Sequence, residues 1–373
     1  MKSSNWVIGI LVVVLVVLGI AVFSKPKTVE TKKPIKIGAV ISLSGFAAST
    51  GEYSKKGIDL AVEEINKNGG IGGRPVEVVI EDDHTVAKDA ATAFSKLVHV
   101  DNVDAVIGSL WDFTTQPLLS LAEANQIALI TPTNPRIPNS FELGKNSFAM
   151  LVNFEDIIRT LEDYLVEYKP KQMAIVRFTS DFGKEIETTL QKILSEHGFQ
   201  NSLIAETYGQ IGGNDFRTTI LKLKTSGVDM VFLDMVDSDI TSFLKRSREL
   251  NYHPQVVVYT TVFDALKALD VDKTLFENVV VLDWEVRQEK FAEVFKDKYG
   301  TEPARLADKS YEAVYVLANA IANTNARAEV APYIEINKFE TVNGEISFTK
   351  DHVVSNTPVV IEIIRSGKLE LLQ

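Results

Sequence analysis

The sequence predicts an α/β protein built as two doubly wound lobes with parallel-sheet cores. Three observations carry that expectation. Short apolar runs alternate with stretches of helical spacing, the gaps between them are short, and the cycle starts again near residue 156 after one full set. A chain of 373 residues holds roughly two domains of about 150 residues each, which agrees with the restart.

Taken in order, Ile35–Ile41 (IKIGAVI) is a compact apolar run suited to a buried strand. The stretch 51–66 places Ile58, Ala61, Val62 and Ile65 on one helical face, and Asn68-Gly69-Gly70 stops it. Val76, Val78 and Ile80 alternate as a strand. A helix over 87–98, a strand over 104–108, a helix over 114–124 and a strand over 127–131 ending at Pro132 complete the first set. The second begins with a helix over 156–167 and a strand over Met173–Phe178. It continues with helices over 184–194, 216–224 and 240–250 between strands over 202–208, 228–233 and 256–259. Amphipathic helices over 290–299 and 309–322 follow, then a strand-like tail with Ile346, Phe348 and 359–364.

Composition narrows the function. Hydrophobic residues at 45% and charged residues at 24% are those of an ordinary globular chain. A net charge of -11 argues against nucleic acid as a partner, because phosphate binding needs clustered Lys and Arg. The absence of cysteine excludes disulfides, thiolate metal sites, cysteine nucleophiles and a lipobox cysteine. His84, His99, His197, His253 and His352 are scattered without metal-ligand spacing. No GxxxxGK phosphate loop and no nucleophile elbow is present, so the expectation is a protein that is not an enzyme and carries no cofactor. Residues 1–24 contain a charge-free apolar run over 6–23, an export signal or an N-terminal membrane anchor. No small-x-small site precedes Ser24 and Pro26 lies just beyond it, which favours an uncleaved anchor with 25–33 as a linker.

In doubly wound sheets ligands bind beyond the carboxyl ends of the strands. The loops to inspect are therefore 42–46 (SLSGF), 108–115 (GSLWDFTT), 131–135 (TPTNP), 178–183 (FTSDFG), 233–237 (LDMVD) and 259–261 (YTT). Together with 37–66, the turn GGIGGRP at 69–75, DAVIGSLWDFTTQPLLSLAEANQIALITP at 104–132, SDFGKE at 180–185 and NDFRTTILKLKTSGVDMVFL at 214–233, they carry a family likeness. The chain resembles the leucine/isoleucine/valine-binding family of ABC-transporter solute receptors over 34–373. That resemblance implies the type I periplasmic-binding fold, with two Rossmann-like lobes joined by three hinge crossings. Lobe 1 would then be 34–150 plus 284–357 and lobe 2 would be 151–283 plus 358–373. It also implies an extracytoplasmic protein that captures a small polar ligand, an amino acid, amide or related compound, and delivers it to a membrane permease. A ligand-sensing receptor ectodomain or co-receptor of the same fold is the alternative.

Carried over residue by residue, the resemblance puts Asp112 where amino-acid binders hold the ligand carboxylate with a hydroxyl. Thr50 takes the place of the first-loop aromatic, with Phe46 nearby. Thr261 replaces the acid that pairs with the ligand ammonium, and Phe182 stands as an aromatic wall. Phe113, Thr133, Asn134 and Asp234 complete the expected ligand-binding set. Each has a plainer reading: Asp112 as the cap of the helix beginning near Thr114, Phe113 as packing, Asp234 as a solvated loop acid, and Thr133 and Asn134 as a proline-bounded turn. A carboxylate at Asp112 repels a carboxylate, so the scaffold fits and the α-amino-acid clamp does not.

Overall fold

A computed structural model describes residues 32–133, 143–199, 203–259, 271–284, 289–304, 306–355, 357 and 359–372. Met1–Lys33 and Pro34–Gln373 are separate units, and the fold below is that of the second. The apolar run 6–23 lies outside the described residues. Among the described residues no helix is long and apolar enough to cross a membrane.

The chain runs β1 (Ile35–Ile41), α1 (Ala48–Lys67), β2 (Val76–Asp82), α2 (Ala87–His99), β3 (Ala105–Gly108), α3 (Asp112–Asn125), β4 (Leu129–Thr131) and β5 (Ser147–Ala149). Next come α4 (Phe154–Arg159), α5 (Leu161–Tyr168), β6 (Met173–Phe178), α6 (Asp181–Glu196), β7 (Ile204–Tyr208), α7 (Arg217–Thr225), β8 (Met230–Asp234), α8 (Asp237–Glu249), β9 (Gln255–Tyr259) and, after a short 3-10 turn, β10 (Val280–Trp284). The last stretch holds α9 (Glu289–Tyr299), α10 (Ala307–Ala322), α11 (Arg327–Ile336), the hairpin β11 (Phe339–Thr341) and β12 (Gly344–Ile346), then β13 (Val359–Arg365) and β14 (Lys368–Leu371).

The first sheet has the order β2-β1-β3-β4-β5 and is parallel throughout. Alternation along β1 sends Ile35, Ile37 and Ala39 into a core with α1 and α10, while Val40 joins α2 and α3 on the other face. Helices α1 and α10 touch closely because small residues meet between them. A side-chain carbon at Gly57 would lie 1.9 Å from the Ala307 carbonyl oxygen, and Ser54 Oγ is 2.6 Å from Ser310 Oγ.

The second sheet has the order β14-β13-β10-β9-β8-β6-β7. It is parallel from β7 to β10, but β13 runs antiparallel to β10 and β14 antiparallel to β13. The expected parallel core is present from β7 to β10, and the chain's end adds to it an antiparallel hairpin that needs no crossover helix. Ile175 and Met173 face α4 and α6, whereas Ala174 and Val176 face α7 and α8. Three passages link the sheets, between β5 and α4, between β10 and α9, and between β12 and β13.

Two further expectations change. Helix α3 starts at Asp112, two residues before the expected 114, so Trp111 occupies the N-cap position and the cap reading of Asp112 fails. Asp112 instead lies in the first turn, where the helix dipole favours a negative charge. Strand β10 and helix α11 were not expected, and α11 carries Pro332 inside it.

Candidate functional site

Parallel strands deliver their carboxyl ends to one edge of each sheet, and the loops leaving those edges enclose a cavity of about 360 Å³. The first lobe contributes the β1–α1 segment (Phe46, Thr50), the β3–α3 segment (Leu110, Trp111, Asp112, Phe113) and Thr133 after β4. From the second lobe come Phe178, Ser180 and Phe182 around the β6–α6 turn, Tyr208 and Ile211 after β7, Asp234, Met235 and Val236 after β8, and Tyr259 ending β9. Leu151, Phe154 and Leu306 lie next to the passages between sheets.

Aromatic rings dominate the described walls. On the first-lobe side Phe46 meets Trp111 edge-on at 5.6 Å and stacks on Phe113 at 6.3 Å between centroids. Facing them, Phe154 contacts Phe182 at 4.7 Å and Tyr259 at 4.9 Å. Phe46 is 53% exposed, which places a large apolar ring at the rim. The hydroxyls expected to line the site are largely turned inward. Ser109 Oγ donates to Asp83 Oδ2 at 2.5 Å and meets Thr114 Oγ1 at 2.7 Å. Thr115 and Thr131 both donate to the Ser109 carbonyl, at 3.1 and 2.9 Å. This buried network braces the β3–α3 turn, and Thr50, Thr133 and Ser180 are left as lining hydroxyls.

Asp234 is the unusual group. It is 5% exposed, so the solvated-acid reading is wrong. Tyr259 donates its hydroxyl to Oδ1 at 3.2 Å, and Tyr208 donates to the Asp234 carbonyl at 3.0 Å. Oδ2 is buried without a hydrogen-bond partner. Burial pushes this carboxyl up to about 7, against the Tyr259 hydrogen bond, the main chain at Phe178 and the Arg177 charge, while the Asp112 charge adds to the rise. The Arg177 guanidinium is itself engaged, donating to Glu187 Oε2 at 2.7 Å and to the Phe178 carbonyl at 3.3 Å. Gly183, in the first turn of α6, is where the carboxylate needs room: a side-chain carbon there would lie 2.7 Å from Asp234 Oδ2 and 2.7 Å from the Phe178 oxygen. From the first lobe, Trp111 Nε1 is a buried donor with no acceptor.

Of the residues singled out from sequence, Phe46, Thr50, Asp112, Phe113, Thr133, Phe182 and Asp234 line this one cavity. Asn134 and Thr261 lie outside the described residues. Sequence reasoning missed Phe154 and passed over Tyr259 and Tyr208. Tyr259 closes a strand whose end had been marked as a ligand loop, a usable signal, whereas Phe154 reaches the site only because the chain changes sheets just before it. Among the described residues no group of His, Asp or Glu could hold a metal ion.

Relatives share this architecture. The chain is 26% identical over 326 residues to the Leu/Ile/Val-binding protein of Citrobacter freundii, covering 85% of this chain and 87% of that one. It is 24% identical over 330 residues to the leucine-, isoleucine-, valine-, threonine- and alanine-binding protein of Pseudomonas aeruginosa, covering 86% and 87%. Among solved structures, the branched-chain amino acid transporter substrate binding protein LivJ of Streptococcus pneumoniae, in complex with isoleucine, is 24% identical with a TM-score of 0.77, covering 90% of this chain and 98% of that one. An ABC-transporter solute binding protein of R. palustris, in complex with benzoate, is 17% identical with a TM-score of 0.75, covering 91% and 95%. These relatives are binding proteins rather than enzymes. The fold is shared with these solved structures, and a model described as periplasmic binding protein matches residues 34–368: this chain belongs to that family.

Proposed function

We propose that the chain is the extracytoplasmic receptor of an ABC transporter. It captures a small organic ligand in the cavity and, once closed, presents it to the membrane permease. The observation that carries this reading is the cavity itself, whose walls come from the carboxyl edges of both sheets. Lobe 1 (34–150 plus 284–357) and lobe 2 (151–283 plus 358–373) bend about the three passages, and a ligand touching both favours the closed form by its differential affinity. Phe46, Thr50, Asp112, Phe113 and Thr133 act from one side, Phe182 and Asp234 from the other. Small-angle scattering on the protein with and without a saturating ligand tests the closure, with compaction expected. An unchanged profile at saturation counts against it.

Residues 1–24 direct export and hold the receptor at the outer membrane face through the linker 25–33, a reading supported by the apolar run 6–23. Fractionation with protease accessibility tests it, and a full-length cytoplasmic pool would sink it.

A further inference from the structure

Buried carboxylate oxygens in native proteins nearly always have a hydrogen-bond donor, and one without a donor calls for an explanation. Asp234 Oδ2 is such an oxygen, in a residue that is 5% exposed and lines the cavity. Arg177, whose charge acts on Asp234, does not supply the donor: it is directed to Glu187 and to the Phe178 carbonyl. Glu187 in turn takes Lys184 at 2.5 Å, and the two cations hold it below the usual carboxylate range although burial works the other way. From the opposite lobe Asp112 brings a second carboxylate to the same cavity, and no Lys, Arg or His stands among its described lining residues. An entering carboxylate therefore meets like charge at reduced screening. The remaining wall suits a cation with an apolar body: Phe154, Phe182 and Tyr259 contact one another and line the same cavity as Asp234, and aromatic rings attract desolvated ammonium groups.

We infer that the ligand is an N–H-bearing organic cation, an amine or amidine with an apolar or aromatic body and no carboxylate, whose nitrogen donates to the Asp234 carboxylate while the body packs between the two aromatic clusters. The inference rests on the receptor reading above and adds the ligand's charge to it. It makes Asp234 the specificity-determining group and gives a purpose to its orphaned oxygen, which the ligand completes.

The test compares bodies that differ only by a carboxylate. Calorimetry on the full-length chain at pH 8 would measure 2-phenylethylamine against phenylalanine and 3-methylbutylamine against leucine, with benzoate as an acid of similar size. The amines should bind at least about ten-fold more tightly than their amino-acid counterparts, and Asp234→Asn should remove at least about ten-fold of amine affinity. A second readout does not depend on that variant folding. The Asp234 carboxyl titrates near 7 in the empty cavity, so amine affinity in the wild type should fall several-fold between pH 8 and pH 6 as the group takes up its proton. Facing groups do not mimic this. Tyr208 is raised by burial, Arg177 is paired with Glu187, and Asp112 lies on the partly exposed first turn of α3. Tighter binding of leucine, phenylalanine or benzoate than of the amines overturns the charge assignment and leaves the receptor reading standing. So does amine binding that is flat with pH or unmoved by Asp234→Asn in a variant that unfolds no lower than the wild type. Failure of all five compounds to bind overturns the inference, whereas the scattering test with other ligands still decides the receptor reading.

Discussion

Two of the places where the described chain buries carboxylates treat them differently. In the first lobe Lys309, Asp308 and Glu312 of α10 are all under a tenth exposed. Lys309 Nζ lies 3.0 Å from Glu312 Oε2 and 3.4 Å from Asp308 Oδ2, and Asn343 from the β11–β12 hairpin donates to Glu312 Oε1 at 2.7 Å. Both oxygens of Glu312 are thus engaged. Burial works to lower Lys309, yet Glu312 and Asp308 outweigh it and hold the ammonium above its ordinary value. At the cavity Asp234 is as deeply buried, but one oxygen lacks a donor, and among the described lining residues there is no Lys, Arg or His. Depth of burial is the same; completeness of pairing is not. Glu312 has both oxygens engaged and serves the fold, whereas the open oxygen of Asp234 leaves a place for a ligand.

The comparison predicts opposite signs for two substitutions. Lys309→Ala removes the cation and leaves two carboxylates buried, which should destabilise the protein by about 3–5 kcal/mol in urea unfolding. A loss under about 1 kcal/mol would mean that water reaches the cluster and that it is not the paired unit described. Asp234→Asn should do the reverse in the ligand-free protein, stabilising it by about 2 kcal/mol at pH 8. The sign follows from linkage. A carboxyl raised from 3.8 to about 7 by folding contributes stability that is present below its unfolded value and lost as pH rises through 7. The advantage of the variant should therefore shrink as pH falls from 8 towards 4, measured as thermal midpoints across that range. A pH-independent difference would break the contrast between the two sites.

Two smaller effects sharpen it. Gly183→Ala drives a methyl group against Asp234 Oδ2 and the Phe178 carbonyl, so α6 or the carboxylate has to shift. The expected loss is about 1–2 kcal/mol in stability, together with weaker ligand binding by calorimetry. Asp112→Asn, on a half-buried first turn, should weaken a cationic ligand by only about three-fold, with the difference fading in high salt. An effect at Asp112 larger than at Asp234 would move the cation's seat to the first lobe.

Much of the architecture was legible because alternation of apolar runs and helical faces depends on neighbours in sequence. The runs around β1, β3, β6 and β8 identify strands, and the segments at their ends supply Phe46, Trp111, Asp112, Phe113, Phe182 and Asp234 to the cavity. Strand β10 (VVLDW) was passed over although it is a short apolar run of the kind that marks β1 and β3. Helix α11 escaped because Pro332 reads as a break. At the site, identity was legible and state was not. Asp234 could be placed at a strand end, but its surroundings include Tyr259 and Arg177 from other strands of the sheet and Gly183 from helix α6. The turn hydroxyls of Ser109, Thr114 and Thr115 looked like ligand groups. Only the fold reveals that Asp83 and the Ser109 carbonyl already use them. Chain position alone does not say which partner a polar side chain has taken.

The close contact of α1 and α10 bears on the order of folding. Ser54 and Ser310, which touch across it, are 256 residues apart, and the whole second-lobe run from α4 to β10 lies between them. One face of the first sheet, with Ile58, Ala61 and Ile65 of α1, therefore waits for α9 and α10 before it can be covered. Because long-range closure is slow, the amino-terminal half stays unassembled while later residues are still being made. An exported chain gains from this delay, since it reaches the membrane before its first lobe can lock. A chain truncated after β10 should bind a hydrophobic dye strongly and lose the sharp unfolding transition of the full protein. Native-like cooperativity in that fragment would show that the first lobe closes without its carboxyl-terminal helices.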